Sequence, residues 1–230
     1  MFSSTSIDES FLILVVVRSK KIIGGFSMVD KRTRKMVVIG ILAAVAWIVS
    51  TFSFPLLYWA PFLKIDFSDI PILLGMYIYG PLPGVGVAAV RSLLSYVGSG
   101  GEAGFPIGDT TAFLATLSYT LPMYYLIKGR KPKMKRAILA SSLATISLTI
   151  TMSILNWGFI APMYMRVMGF SVGPMREYLT VSVVPFNILK GIFVSVVFFG
   201  LFYQLHSYLR KLKLENNPKN TKTMYFKNNS

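Results

Sequence analysis

In VVPFNILKGIF (Val183 to Phe193), Asn187 and Lys190 stand three residues apart, which puts them on one face of a helix. The amide offers donors and acceptors, and the ammonium offers donors only. In an apolar stretch such groups are costly and face a cavity or a partner. Together they suit a neutral or weakly acidic ligand rich in carbonyls and hydroxyls. The alternative is structural, with Lys190 snorkelling to the interface and Asn187 bonding a neighbouring helix. Pro185 frees backbone groups nearby. LNWGF (Leu155 to Phe159) carries a second amide, Asn156, beside Trp157. Trp157 suits an interfacial belt, and Asn156 suits either the same ligand or an interhelical bond. Arg91, alone in the middle of an apolar helix, must face a carboxylate, a cavity or a partner.

A fourth polar group lies in YWAPFLKIDFSDIPILLGMYIYG (Tyr58 to Gly80), where Lys64, Asp66, Ser68 and Asp69 mix with Tyr58, Trp59, Phe62 and Phe67. The two aspartates are an acid/base pair in principle. The simpler reading is that Ser68 or Asp69 caps the next helix and the acids complement its positive dipole end. The remaining chemistry is sparse. The chain has no cysteine, which removes disulfides, thiol nucleophiles and thiolate metal sites. Its one histidine, His206, sits near a helix end and reads as an interfacial residue. HExxH, GxSxG and P-loop motifs are absent, and no metal site is expected.

The elements that position these groups follow from composition. Of 230 residues, 53% are hydrophobic and only 14% charged, against about 25% charged in soluble domains. Mean hydropathy is +0.58. The apolar residues come in long blocks, so the fold class expected is an all-α integral membrane protein, a six-helix transmembrane bundle. The helices are expected near 36–54, 67–79, 85–97, 109–127, 137–160 and 181–208. GPLPG (Gly80 to Gly84) is a turn by its chemistry, and GSGGEAGFPIG (Gly98 to Gly108) a flexible loop. Residues 161–179 form an amphipathic connector. Helices two and three look short for about 30 Å of hydrocarbon.

The net charge is +15, and its placement decides its meaning. Lys31, Arg32, Arg34 and Lys35, the loop Lys128 to Arg136, and the tail from Arg210 are strongly basic, while other connectors carry few cations. Six helices place all three basic segments on one side, and the positive-inside rule makes that side cytoplasmic, with both termini there. This is a membrane-topology signal and not a nucleic-acid surface. The domains expected are a disordered or mis-called extension at 1–30, a six-helix substrate-binding domain at 31–209 and a basic cytoplasmic tail at 210–230. FLILVVV (Phe11 to Val17) is too short to span.

LKIDFSDIP, the GPLPG turn, FPIGD before helix four and PFNILKG in helix six resemble the riboflavin-binding S component of energy-coupling factor (ECF) transporters, the RibU type, over about residues 36–208. The resemblance implies a multi-pass plasma-membrane protein that is not an enzyme and has no cofactor. It would capture riboflavin, with FMN as a further candidate, from the outer side. It would deliver the ligand together with a transmembrane coupling subunit and two cytoplasmic ATPases. Another vitamin or small metabolite is the alternative ligand, and a membrane enzyme the remoter alternative. The flavin contacts implied are Asn156, Asn187 and Lys190, with Leu63, Lys64, Ile65 and Asp66 of the first outer loop. That loop becomes a lid, in which Tyr58, Phe62 and Ile65 cover the ring. Coupling-subunit docking is expected on helix one, at small residues Gly40, Ala43, Ala44, Ala46 and Ser50, although the family's alanine-x-x-x-alanine spacing is not kept strictly.

Overall fold

The computed structural model describes residues 31–60, 63–128, 132–169 and 171–215. The extension before residue 31 and most of the expected tail lie outside the described residues. The described residues form six helical rods. These are α1 (Lys31–Thr51), α2 (Asp69–Tyr79), α3 (Pro81–Ser99) and α4 (Ile107–Ile127), followed by two composite rods. The fifth joins α5 (Met134–Leu155) to α6 (Ala161–Met168) through a π-helical turn at Asn156–Ile160. The sixth joins α7 (Met175–Tyr178) to α8 (Val184–Glu215) through a π-helical turn at Leu179–Val183. Between α1 and α2, strands β1 (Phe54–Pro55) and β2 (Lys64–Ile65) pair antiparallel, with Phe54 opposite Ile65.

The boundaries differ from expectation where proline and glycine act locally. GPLPG is not a turn. Gly80 alone makes the corner with φ +98°, and Pro81 and Pro83 lie in the first turn of α3, where a missing N–H costs nothing. The third helix therefore has 19 residues, about 28 Å, and is long enough to cross most of a bilayer. The fifth rod does not stop at 160. Pro162 follows the π-helical turn, and the widened turn absorbs the lost hydrogen bond without breaking the axis. Pro185 stands in the same relation to the second π-helical turn. The amphipathic connector thus shrinks to the residues between Met168 and Met175, with Gly169 in the left-handed conformation ending α6. The last helix reaches Glu215, so the expected domain boundary at 209 lies inside it.

Helix α2 has only 11 residues and ten of them are buried. Apolar on every side, it is an interior helix. It packs against α1, α3, α4 and α8. One core cluster joins α2, α4, α5 and α8 through residues such as Leu73, Tyr119, Leu148 and Phe198. A second joins α1, α2, α3 and α4 through Ala43, Ile72, Met76 and Val87. The apolar segments Met134–Met168 and Met175–His206 are long enough to cross a membrane, with mean hydropathies of 1.9 and 2.0. Exposed Ile138, Ile146, Ile150 and Ile154 run along one side of α5, as a lipid-facing helix requires.

The approach of α3 to α2 depends on Gly84. A Cβ there would lie 1.9 Å from Met76 Cγ and 3.2 Å from its Cα. Met76 is fully buried and has nowhere to retreat. Gly84→Ala is expected to destabilise the fold by about 1–3 kcal/mol through overpacking. A thermal melt of the detergent-solubilised protein checks this, and an unchanged midpoint would show that the two helices do not need this contact.

Candidate functional site

At one end of the bundle the rods diverge around a cavity of about 270 Å³. It is close to the lower bound of small-molecule sites, roughly 300 Å³. The β1–β2 hairpin loop, α3, α4, the first π-helical turn and the start of α8 enclose it. Its wall holds six of the residues expected for ligand contact: Asn156, Asn187, Lys190, Leu63, Lys64 and Asp66. Met152, Ile160 and Phe186 supply apolar surface beside them.

The two asparagines are held in the same way. Asn156 Nδ2 donates to Met152 O at 2.8 Å, and Asn187 Nδ2 donates to Val183 O at 2.8 Å. Each amide thus bonds the carbonyl one turn back, next to a π-helical turn, where the backbone ladder is interrupted. Tyr178 Oη donates to Asn156 Oδ1 at 3.2 Å. The oxygen of Asn187 has no protein partner among the described residues, so it presents an acceptor to the cavity.

Two buried ion pairs lie beside these amides. Lys190 Nζ is 3.7 Å from Asp69 Oδ2, and both side chains are almost fully buried. Thr116 Oγ1 donates to Asp69 Oδ1 at 2.6 Å. This overturns the capping expectation for Asp69. It is the first residue of α2, but its carboxylate points into the bundle toward α4 and α8. Ser68 occupies the position before the helix and makes no side-chain cap either. Its hydroxyl accepts from Arg91 Nε at 3.2 Å and from a guanidinium NH₂.

Arg91 is 3% exposed and its guanidinium also lies 3.7 Å from Asp66 Oδ1. The same Asp66 oxygen accepts the Ser68 N–H at 2.8 Å, closing a short loop at the start of α2. Burial acts to raise the Asp66 carboxyl, but Lys190, Arg91 and the Ser68 hydrogen bonds outweigh it and hold the group below the usual carboxylate value.

The structure separates the other expected residues. Ile65 is fully buried but packs behind the wall with Leu57, Ala60 and Phe186. Tyr58 is 97% exposed and does not line the cavity. Phe62 lies outside the described residues. On α1, Ala43 and Ala46 are fully buried, with Ala43 packed in the α1–α4 core, so neither lies on the surface a partner would meet. Gly40 is exposed and Ala44 half-buried. Ser50 lines the cavity and donates to Trp47 O at 2.7 Å.

Sequence reasoning missed several wall residues. Glu102 Oε2 accepts the Gly108 N–H at 2.8 Å near the start of α4, and Tyr164 Oη donates to Glu102 Oε1 at 3.1 Å. Glu102 and Phe105 exchange two backbone bonds of 2.9 Å, so the glycine segment is an organised turn and not merely a flexible loop. Arg91 was singled out without a partner. Tyr164 and Tyr178 had no signal, because the segment holding them read as a surface connector.

Residues 34–202 match the family described as "ECF transporter, substrate-specific component". The chain is 37% identical to the riboflavin transporter FmnP of Bacillus subtilis over 97 residues, 42% of this chain and 51% of that protein. It is 35% identical to the riboflavin transporter RibU of Staphylococcus aureus over 101 residues, 44% of this chain and 52% of that one. The chain therefore spans about half the length of these curated relatives. A solved structure described as "Structure and mechanism of the S component of a bacterial ECF transporter" superposes with a TM-score of 0.64 at 35% identity, covering 77% of this chain and 98% of that one. With a family match over most of its length and a fold to fit, the chain belongs to the substrate-specific components of ECF transporters, multi-pass proteins of the cytoplasmic membrane that transport and are not enzymes.

Proposed function

We propose that this chain captures riboflavin from the outer side and hands it across the membrane together with a transmembrane coupling subunit and two cytoplasmic ATPases. The observation that carries the reading is the cavity wall. Asn156, Asn187 and Lys190 converge there beside Met152, Ile160 and Phe186, so fixed polar groups meet an apolar surface. A flavin has this division, with a flat ring bearing carbonyls and a hydroxylated chain. Named relatives that transport riboflavin support the same ligand.

In this reading the covering falls to the loop residues that line the wall. Leu63, Lys64 and Asp66 take that role, and Ile65 supports them from behind through Phe186. Tyr58 is released from it. For docking, exposed Gly40 and half-buried Ala44 remain as small residues on α1, where close helix approach is possible.

Riboflavin titrated into the purified chain in detergent is expected to lose its fluorescence with one-to-one stoichiometry. Asn187→Ala should weaken that binding at least about tenfold, because the amide is a buried polar partner. A folded, flavin-free protein that leaves riboflavin fluorescence untouched would overturn the ligand, and other vitamins would then be titrated in the same assay.

A further inference from the structure

The cavity carries more charge than an uncharged ligand needs. Lys64, Arg91 and Lys190 stand around it, and so do Asp66 and Glu102, with Asp69 directly behind Lys190. Three cations therefore face three carboxylates. The cancellation is local as well as global. Lys190 is matched by Asp69 at 3.7 Å, and Arg91 by Asp66 at 3.7 Å. Glu102 is held by the Gly108 N–H and the Tyr164 hydroxyl.

Such pairing is costly to build. A buried lysine stays charged only beside a counter-charge, and desolvating both ions carries a penalty, so the pair leaves Lys190 with donors but little net charge to offer a ligand. Asp69 Oδ1 accepts from Thr116, while Oδ2 makes no hydrogen bond among the described residues and lies 3.7 Å from Lys190 Nζ. What it supplies is negative charge beside Lys190.

We infer that Asp69 and Asp66 act as counter-charges that set selectivity, making the cavity favour an uncharged flavin over its phosphate monoester. The inference rests on the riboflavin reading above. A phosphate carries close to two negative charges at neutral pH. In this wall it meets Arg91 and Lys190 already matched by carboxylates, and Asp66 and Glu102 that repel it. Like-charge juxtaposition in a desolvated site is a strong means of rejecting the wrong ligand. Asp69 is a positioning residue in this scheme, because it acts through Lys190.

The test compares riboflavin and FMN binding to the full chain in detergent, for the unaltered protein and for Asp69→Asn and Asp66→Asn. The unaltered protein should prefer riboflavin. Each variant should move the ratio of the two dissociation constants about tenfold toward FMN, even where riboflavin binding itself weakens. A purely structural role would weaken both ligands together and leave the ratio unchanged, and that result overturns the inference. Equal affinity of the unaltered protein for both flavins overturns it too. So does loss of both flavins from both variants, since neutralising a carboxylate should spare FMN. No riboflavin binding by the unaltered protein is a different failure, that of the ligand assignment.

Discussion

Replacing Lys190 by alanine is expected to weaken flavin binding at least about tenfold and to destabilise the folded chain by about 3–5 kcal/mol. The two effects have separate causes. Binding falls because the cavity wall loses a donor. Stability falls because Asp69, 1% exposed, keeps only Thr116 as a partner among the described residues and becomes an uncompensated buried charge. A double variant separates the two. Lys190→Met with Asp69→Leu removes both charges and fills similar volume, so the thermal midpoint should recover while riboflavin binding does not. If binding returned with stability, Lys190 would be a structural lysine and its place in the site would be wrong. If the single variant melted like the parent, the ion pair would carry no weight.

Arg91→Met is the second large effect. The guanidinium connects the middle of α3 to Ser68 and Asp66, at the junction between the hairpin loop and α2. Removing it leaves Asp66 without its nearer cation and the Ser68 hydroxyl without its donor. We expect a loss of about 3 kcal/mol or more, as for other broken buried pairs. The wall strand Lys64–Ile65 and the adjoining loop should then be cleaved faster in limited proteolysis, and riboflavin affinity should fall about tenfold. Cleavage and affinity both unchanged would mean that the loop is held by its apolar contacts with Phe186 alone.

Much of the site was legible because few side chains in an apolar protein are able to bind anything. Asn156, Asn187 and Lys190 stand out against their surroundings, and all three line the cavity. The loop was legible only in part. The resemblance implies a lid, but residue type does not say which rings cover a ligand, because an aromatic ring is as stable in an interfacial layer as against one. Tyr58 faces outward, and the strand pairing puts Leu63 and Lys64 at the wall instead. Asp69 looked like a cap because it opens a helix. Its carboxylate found Thr116 and Lys190, residues far along the chain that no local pattern could link to it.

By itself the sequence determined the class of protein, the number of rods and the kind of groups available for binding. Those depend on hydropathy summed over twenty or so residues and on residue type, and both are local properties. Only the tertiary structure decided how each helix is turned. Helical spacing says which residues share a face but not what that face meets. Ala43 and Ala46 therefore turned inward while Gly40 stayed exposed, and Arg91 and Lys190 each met a carboxylate on another element. In an apolar setting a buried charge is stable only beside its partner, so packing chose those orientations together.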